Sequence, residues 1–184
     1  EKALHIYKQL KDKAASMERR QLAKTGMLRS AHMLGNEEEI IFAATDLLAD
    51  TKLAPELSNE AHYYRAKAYL DAGKTDGAME DLKILAKDTR NVYGAEAKYK
   101  VAQIYFDGGQ TDKAEQEVLN YIEVSTPHTY WLARSFVLLA DVYMKLGRNL
   151  DAKQYLLSLK QNYQADDDIA GMIESRLEKL KTEN

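Results

Sequence analysis

The chain predicts an all-α fold, an α-solenoid of antiparallel helix pairs with about ten helices. Three observations carry this. Gly35, Gly73, Gly109 and Gly147 recur at intervals of 38, 36 and 38 residues. Before each stands the same pattern, with Leu28, Ala66, Ala102 or Ala140 at seven and Ala31, Tyr69, Tyr105 or Tyr143 at four. After each comes Ile40, Ala78, Ala114 or Ala152 at five, then Ala44, Leu82, Val118 or Leu156 at nine, and Leu47, Leu85, Tyr121 or Leu159 at twelve. Steps of three and four residues stay on one face of a helix, so each glycine divides a first helix from a second.

The elements follow in chain order. Residues 1–15 carry Ala3, Tyr7 and Leu10 in second-helix register, Ala3 lying 37 residues before Ile40. The chain therefore reads as opening on the second helix of a repeat whose first helix is missing, and as a fragment of a longer array. Full repeats are expected at 18–51, 56–88, 92–124 and 127–162, with helices near 18–34, 37–51, 56–72, 75–88, 92–107, 111–124, 127–146 and 149–162. Small residues seven before and five after each glycine let paired helices approach closely, and Tyr69, Tyr105 and Tyr143 fill the wedge between them. The glycines end first helices, where a left-handed backbone costs Gly nothing. Thr75, Thr111 and Asn149 are placed to cap the second helices, with Asp76, Asp112 and Asp151 near the positive dipole end. Thr126 and Pro127 give a further start signal, a cap followed by proline at the first helical position. Asp166, Asp167 and Asp168 open a closing helix over 166–181, with Ile169, Met172, Ile173, Arg176, Leu177 and Leu180 on one face and a polar opposite face. Lys181 to Asn184 then reads as an end or a linker. The whole of 1–184 is expected to form one solenoid.

Composition excludes several classes of function. Net charge is −3 and the isoelectric point is near 5.9, a poor match to a phosphate backbone, so nucleic acid is not the expected partner. The absence of cysteine removes disulfides, iron–sulfur clusters and thiolate zinc sites. No run approaches a membrane span, so direct membrane insertion is not expected. His5, His32, His62 and His128 are scattered, without a pair at i,i+4, and no metal site is expected. The Asp166–Asp168 run is read as helix capping. The turn at Asp107, Gly108 and Gly109 lacks the strand and Lys-Ser/Thr of a phosphate loop. No triad or nucleophile elbow is visible, so no catalytic residue and no cofactor are expected.

The order of small residue, Tyr, Gly and Ala resembles the tetratricopeptide repeat. The likeness is good at Ala66-Tyr69-Gly73-Ala78, Ala102-Tyr105-Gly109-Ala114 and Ala140-Tyr143-Gly147-Ala152, and poor around Leu28, Ala31 and Ile40. Units here run two to four residues longer than the family's 34, and the usual closing proline survives only near Pro55 and Pro127. Phrases such as AEAKYKVAQIYFDGGQTDKAE look like those of bacterial cell-envelope members, which implies the periplasm or envelope as the location. The resemblance implies a right-handed superhelix whose first helices line a concave groove for a protein or peptide partner.

Positions ten, six and three before each glycine share one face of the first helices. They hold Thr25, Tyr63, Tyr99 and Val137; Arg29, Lys67, Gln103 and Asp141; and His32, Leu70, Phe106 and Met144. The candidate partner-binding residues are Arg29, His32, Tyr63, Lys67, Tyr99, Gln103 and Phe106. Aromatics beside polar groups suit an extended peptide, although Tyr63 and Tyr99, each taken singly, suit packing between repeats somewhat better. The paired Asn and several Lys of a carboxylate-binding groove are missing, which disfavours capture of a free C-terminus. The expected function is thus a non-catalytic interaction scaffold holding a partner peptide or helix. The alternative is a structural spacer, or self-association through the truncated N-terminal edge.

Overall fold

A computed structural model describes residues 1–182, which form ten helices and, among the described residues, no strand. These are α1 (Lys2–Lys13), α2 (Met17–Leu34), α3 (Glu37–Leu48), α4 (Pro55–Asp71), α5 (Thr75–Leu85), α6 (Val92–Asp107), α7 (Thr111–Glu123), α8 (Thr129–Lys145), α9 (Asn149–Asn162) and α10 (Ile169–Thr182). The fold is therefore an all-α helical repeat. Of the expected end or linker at Lys181 to Asn184, Lys181 and Thr182 instead continue α10, and Glu183 and Asn184 lie outside the described residues.

The chain divides into two compact units, Glu1–Leu85 and Ala86–Asn184. In the first, each helix packs on the next in the chain and α2 also touches α4. The core gathers Met27, Leu28 and Ala31 of α2, Ile40, Ala43, Ala44 and Leu47 of α3, and Ala61 and Ala68 of α4. In the second, sequential helices again pack together, and α8 touches both α6 and α10. There the core is built from Ala102, Ala114, Val118, Leu139, Ala140, Ala152 and Leu156, with Ile169 and Ile173 of α10 covering its end. Full burial of a large apolar side chain contributes about 1.5–3 kcal/mol, so these faces hold the pairs together.

The turns between paired helices explain why the glycine repeats. Gly35, Gly73, Gly109 and Gly147 have φ of 63°, 70°, 74° and 73°, the left-handed region where a Cβ is costly. The residue after each glycine serves both helices. The amides of Lys74, Gln110 and Arg148 donate back to the carbonyls of Tyr69, Tyr105 and Tyr143 at 2.7, 2.8 and 2.8 Å, closing a Schellman turn. Their own carbonyls accept from the amides of Ala78, Ala114 and Ala152 at 3.2, 3.0 and 3.1 Å, opening the next helix.

These turns, of two residues after α2 and three after α4, α6 and α8, correct the expected caps. Thr75, Thr111 and Asn149 are first residues of α5, α7 and α9, already helical, and the N-cap falls on Gln110 and Arg148, whose side chains do not cap. Only the first such turn carries a capping side chain in the right place: Asn36 accepts from the Glu39 amide at 3.0 Å. Thr126 does not cap α8 either. Its hydroxyl donates to the Thr89 carbonyl at 2.8 Å and accepts from the His128 amide at 3.2 Å, and α8 begins two residues beyond Pro127. At α10, Asp167 accepts from the Ile169 amide at 3.0 Å, but it also accepts from the Tyr163 hydroxyl at 2.6 Å. Asp168 is spent on Arg134, 3.0 Å away, so capping does not account for the whole acidic run.

A second repeat runs beside the apolar one. The residues eleven before and eight after Gly73, Gly109 and Gly147 meet across the helix pair: His62 with Asp81 at 2.7 Å, Lys98 with Glu117 at 2.7 Å, and Phe136 with Tyr155 at 6.0 Å between rings. In the first pair the eight-after position is Ala43, and buried Lys24 reaches further along α3. Its ammonium donates to the Asp46 carbonyl and to Asp50, both at 2.7 Å, and lies 3.1 Å from the Asp46 carboxylate. Burial alone would lower the Lys24 pKa, but the two carboxylates outweigh it and raise it.

Helix α1 sits on α2 through Leu4 and Tyr7. A Cβ at Gly26 would run into the Tyr7 ring, so α2 keeps a glycine there. Ala3 is exposed, with Ile6 at 60% and Leu10 at 37%. The positions equivalent to Ala3, namely Ile40, Ala78, Ala114 and Ala152, are all buried. Of the α1 residues in second-helix register, Ala3 and Leu10 are open and Tyr7 is half-covered, while neighbouring Leu4 is covered.

Candidate functional site

In the first unit, the outward positions of α2 and α4 bring four candidate residues together. Arg29 forks onto Glu60, its Nε and Nη2 donating to the two carboxylate oxygens at 2.7 Å each. This two-point fork ties α2 to α4. His32 stacks on Tyr64 with ring centroids 4.0 Å apart and 18° between planes. Tyr63 lies 5.9 Å from Tyr64, and the Lys67 ammonium stands 5.5 Å from the Tyr63 ring. Arg29, His32 and Lys67 are exposed, and Tyr63 is half-buried. Sequence reasoning missed Glu60 and Tyr64, since their roles arise only when α2 and α4 lie side by side.

In the second unit, α6, α8 and α10 frame a cavity of about 300 Å³. Tyr99, Gln103 and Phe106 come from α6, Arg134, Val137 and Asp141 from α8, and Met172 and Arg176 from α10. Two arginines dominate it. Arg176 forks onto Asp141 at 2.8 and 2.7 Å and donates a third bond to the Met172 carbonyl at 3.1 Å. Arg134 lies between two aromatic rings, 5.2 Å from Tyr99 and 5.7 Å from Tyr130.

Tyr99 does not project from the surface. It is 4% exposed, with its ring 5.6 Å from Trp131 and its hydroxyl 3.4 Å from Arg134. Packing between repeats accounts for most of this side chain, because the long N-terminal part of α8 lays Trp131 against it. Gln103 and Phe106 remain half-buried at the cavity, with the Lys145 ammonium 5.1 Å from the Phe106 ring.

Among the described residues no group of His, Asp and Glu is arranged to hold a metal ion, and no helix is long and apolar enough to cross a membrane. His62, the most enclosed histidine, is held by Asp81, which also accepts a fork from Arg65 at 2.8 Å on each arm. Asp81 is 1% exposed. Burial would raise its pKa, but the hydrogen bonds from Arg65 and His62 outweigh that and hold the carboxyl below its usual range.

Antiparallel helix pairs joined by a left-handed glycine, stacked so that first helices touch first helices, define a helical-repeat scaffold for protein interactions. Two family models match, both described as tetratricopeptide repeat, one over residues 60–88 and the other over residues 133–161. These stretches carry α4–α5 and α8–α9, and the chain is a tetratricopeptide repeat protein. Such repeats are typically non-enzymatic and bind protein partners. No curated protein matches the sequence significantly.

Solved structures agree on the fold. The crystal structure of MamA is 18% identical over 98% of this chain and 90% of that one, with a TM-score of 0.64. A Podosopora anserina putative kinesin light chain with nearly identical TPR-like repeats is 19% identical over 87% and 84%, with a TM-score of 0.61. BtubC (BKLC) from P. vanneervenii is 16% identical over 98% and 86%, with a TM-score of 0.59. At these identities the likeness is one of fold.

Proposed function

We propose that the chain is a non-catalytic scaffold whose first helices hold an extended peptide or a helix of a protein partner. In the first unit the contacts come from Arg29, His32, Tyr63 and Lys67. In the second they come from Gln103 and Phe106, with Tyr99 as a wall. The observation that carries this reading is the composition of the outward first-helix face. At six and three before the glycine it keeps polar and aromatic side chains at least partly open in both units, with Arg29, His32 and Lys67 exposed and Gln103, Phe106 and Asp141 half-buried, whereas the opposite face of each first helix is buried and largely apolar. Flat apolar contact beside polar anchors is what an extended chain requires.

Selection of displayed peptides on the full chain tests it. For a selected peptide contacting α4, Tyr63→Ala is expected to weaken affinity about tenfold, as loss of an aromatic anchor does. Lys67→Ala should act on the association rate, and its effect should fade with added salt. Lys153→Ala, on exposed α9 surface, should do nothing. The reading fails when the Lys153 variant weakens binding and the Tyr63 variant does not.

A second reading, self-association through α1, is favoured by its uncovered Ala3, Ile6 and Leu10. The occupant we assign is a second copy of the chain. The support is the register: Ile40, Ala78, Ala114 and Ala152, the positions equivalent to Ala3, are all buried. Sedimentation velocity should show a dimer growing with concentration and lost in Ile6→Glu. A chain that stays monomeric throughout removes this reading.

A further inference from the structure

The geometry points to Arg134 as the anchor for an acidic side chain, Asp or Glu, of the partner peptide, which takes the place that Asp168 now holds. This rests on the peptide-binding reading above and names the chemistry of one contact. The two arginines of the cavity are not equivalent. Arg176 is closed: both carboxylate oxygens of Asp141 and a main-chain carbonyl occupy it. Arg134 is open. Its Nη1 donates to the Tyr130 hydroxyl at 2.8 Å and to one oxygen of Asp168 at 3.0 Å, its Nη2 makes a long contact to the Tyr99 hydroxyl at 3.4 Å, and its Nε, though buried, has no hydrogen-bond partner.

A buried donor of a charged group left without an acceptor is unfavourable, and a guanidinium is shaped to be met by two oxygens at once. The rings of Tyr99 and Tyr130 already hold it in place, so a ligand spends little ordering it. Asp168 is a weak holder, since it bonds through one oxygen and its side chain is 54% exposed. It can swing to solvent with its main chain still accepting the Met172 amide at 3.0 Å.

Charge gives the same answer. Arg134 and Arg176 are balanced by Asp107 and Asp141 within the cavity, so an incoming carboxylate is tolerated only when Asp168 leaves. Asp168 is therefore a built-in competitor for the site. The cavity, about 300 Å³, is at the lower end for a ligand site and suits one side chain. Val137, Leu138 and Met172 give it an apolar lining that matches the stem of a Glu.

The test uses the full chain and a library of peptides blocked at both ends, with a central position fixed as Asp, Glu, Asn or Gln and randomised flanks. Blocking removes any free terminal carboxylate. Peptides with central Glu or Asp should be enriched over their amide counterparts, and the Arg134 Nε–H signal in a nitrogen-15 spectrum should move on binding. Asp168→Asn should strengthen binding of the acidic peptides about twofold to fivefold, the effect of freeing an exposed ion pair. Arg134→Lys, which keeps the charge and loses the fork, should abolish the preference for acid. Equal retention of acidic and amide peptides, or an acid preference unchanged in both variants, overturns this inference and leaves the groove reading standing. Retention of no peptide at all overturns the groove reading itself.

Discussion

Replacing Asp81 by Ala is expected to cost about 3–5 kcal/mol of stability, because it strips the shared partner from the enclosed Arg65 guanidinium and the His62 ring. Arg65 forks onto this carboxylate and His62 meets it at 2.7 Å, with side-chain exposures of 19%, 12% and 1% for Arg65, His62 and Asp81. Without Asp81 the guanidinium keeps only its bond to the Thr45 hydroxyl at 3.0 Å. The loss should be read in urea as a lower midpoint at unchanged slope, and in amide exchange as faster opening of α4 and α5. A loss below about 1 kcal/mol would put this cluster in the class of solvated surface pairs.

The same carboxylate fixes the direction of the acid response. Its folded pKa is depressed, so the unfolded chain binds the proton more readily. The stability it contributes is fully present above the unfolded carboxyl value, about 3.9, and is lost as pH falls through the folded one. Asp46 acts in the same sense: burial would raise its pKa, but the hydrogen bonds from Lys24 and Lys11 outweigh this and lower it. Asp81→Asn should therefore flatten the acid limb of the stability profile.

How far the fold was legible follows from what repeats. The glycines, the small residues and the tyrosines recur in register because every helix pair solves the same packing problem, so existence, order and pairing of the helices could be read from the sequence. The second repeat was equally available. His62 with Asp81 and Lys98 with Glu117 are each nineteen residues apart, and this fixed spacing across a glycine is a signal that apolar patterning overlooks. Cap positions were not legible to the residue. A single residue after each glycine closes one helix and opens the next, and no side-chain preference reveals that double duty. The geometry of the candidate site was legible only in part. Offsets from the glycine anticipate that Tyr63, Lys67, Gln103 and Phe106 stay at least partly open, but the burial of Tyr99 depends on Trp131, which lies in a stretch of α8 ahead of the repeat pattern. Arg134 stands in that same stretch, and its partners come from α6, from α8 itself and from the residue just before α10.

Leu28→Ala is expected to cost about 2–5 kcal/mol, through lost burial and the cavity left behind. Its interest is that the first helix pair departs from its siblings in a compensated way. Elsewhere the positions seven before and five after the glycine are both Ala and the position four before is Tyr; here they are Leu28, Ile40 and Ala31. The bulk has moved from one site to two, and all three side chains remain buried, with Leu28 and Ala31 at 0% and Ile40 at 5%. In the next pair the Tyr69 ring lies over Gly77, a Cβ on which would sit 3.1 Å from it, beside the Ala78 that corresponds to Ile40. Volume conserved across neighbours is tolerated, whereas each change alone leaves a void or a clash. Leu28→Ala and Ile40→Ala should each destabilise, and Ala31→Tyr should overpack by about 1–3 kcal/mol. The triple variant, which installs the sibling pattern, should be more stable than the sum of the three losses, the coupling expected of residues in contact. Chemical unfolding of the three single variants and the triple decides it: strictly additive losses would mean that the first pair is packed by a different rule, and that its departure from the repeat is divergence without compensation.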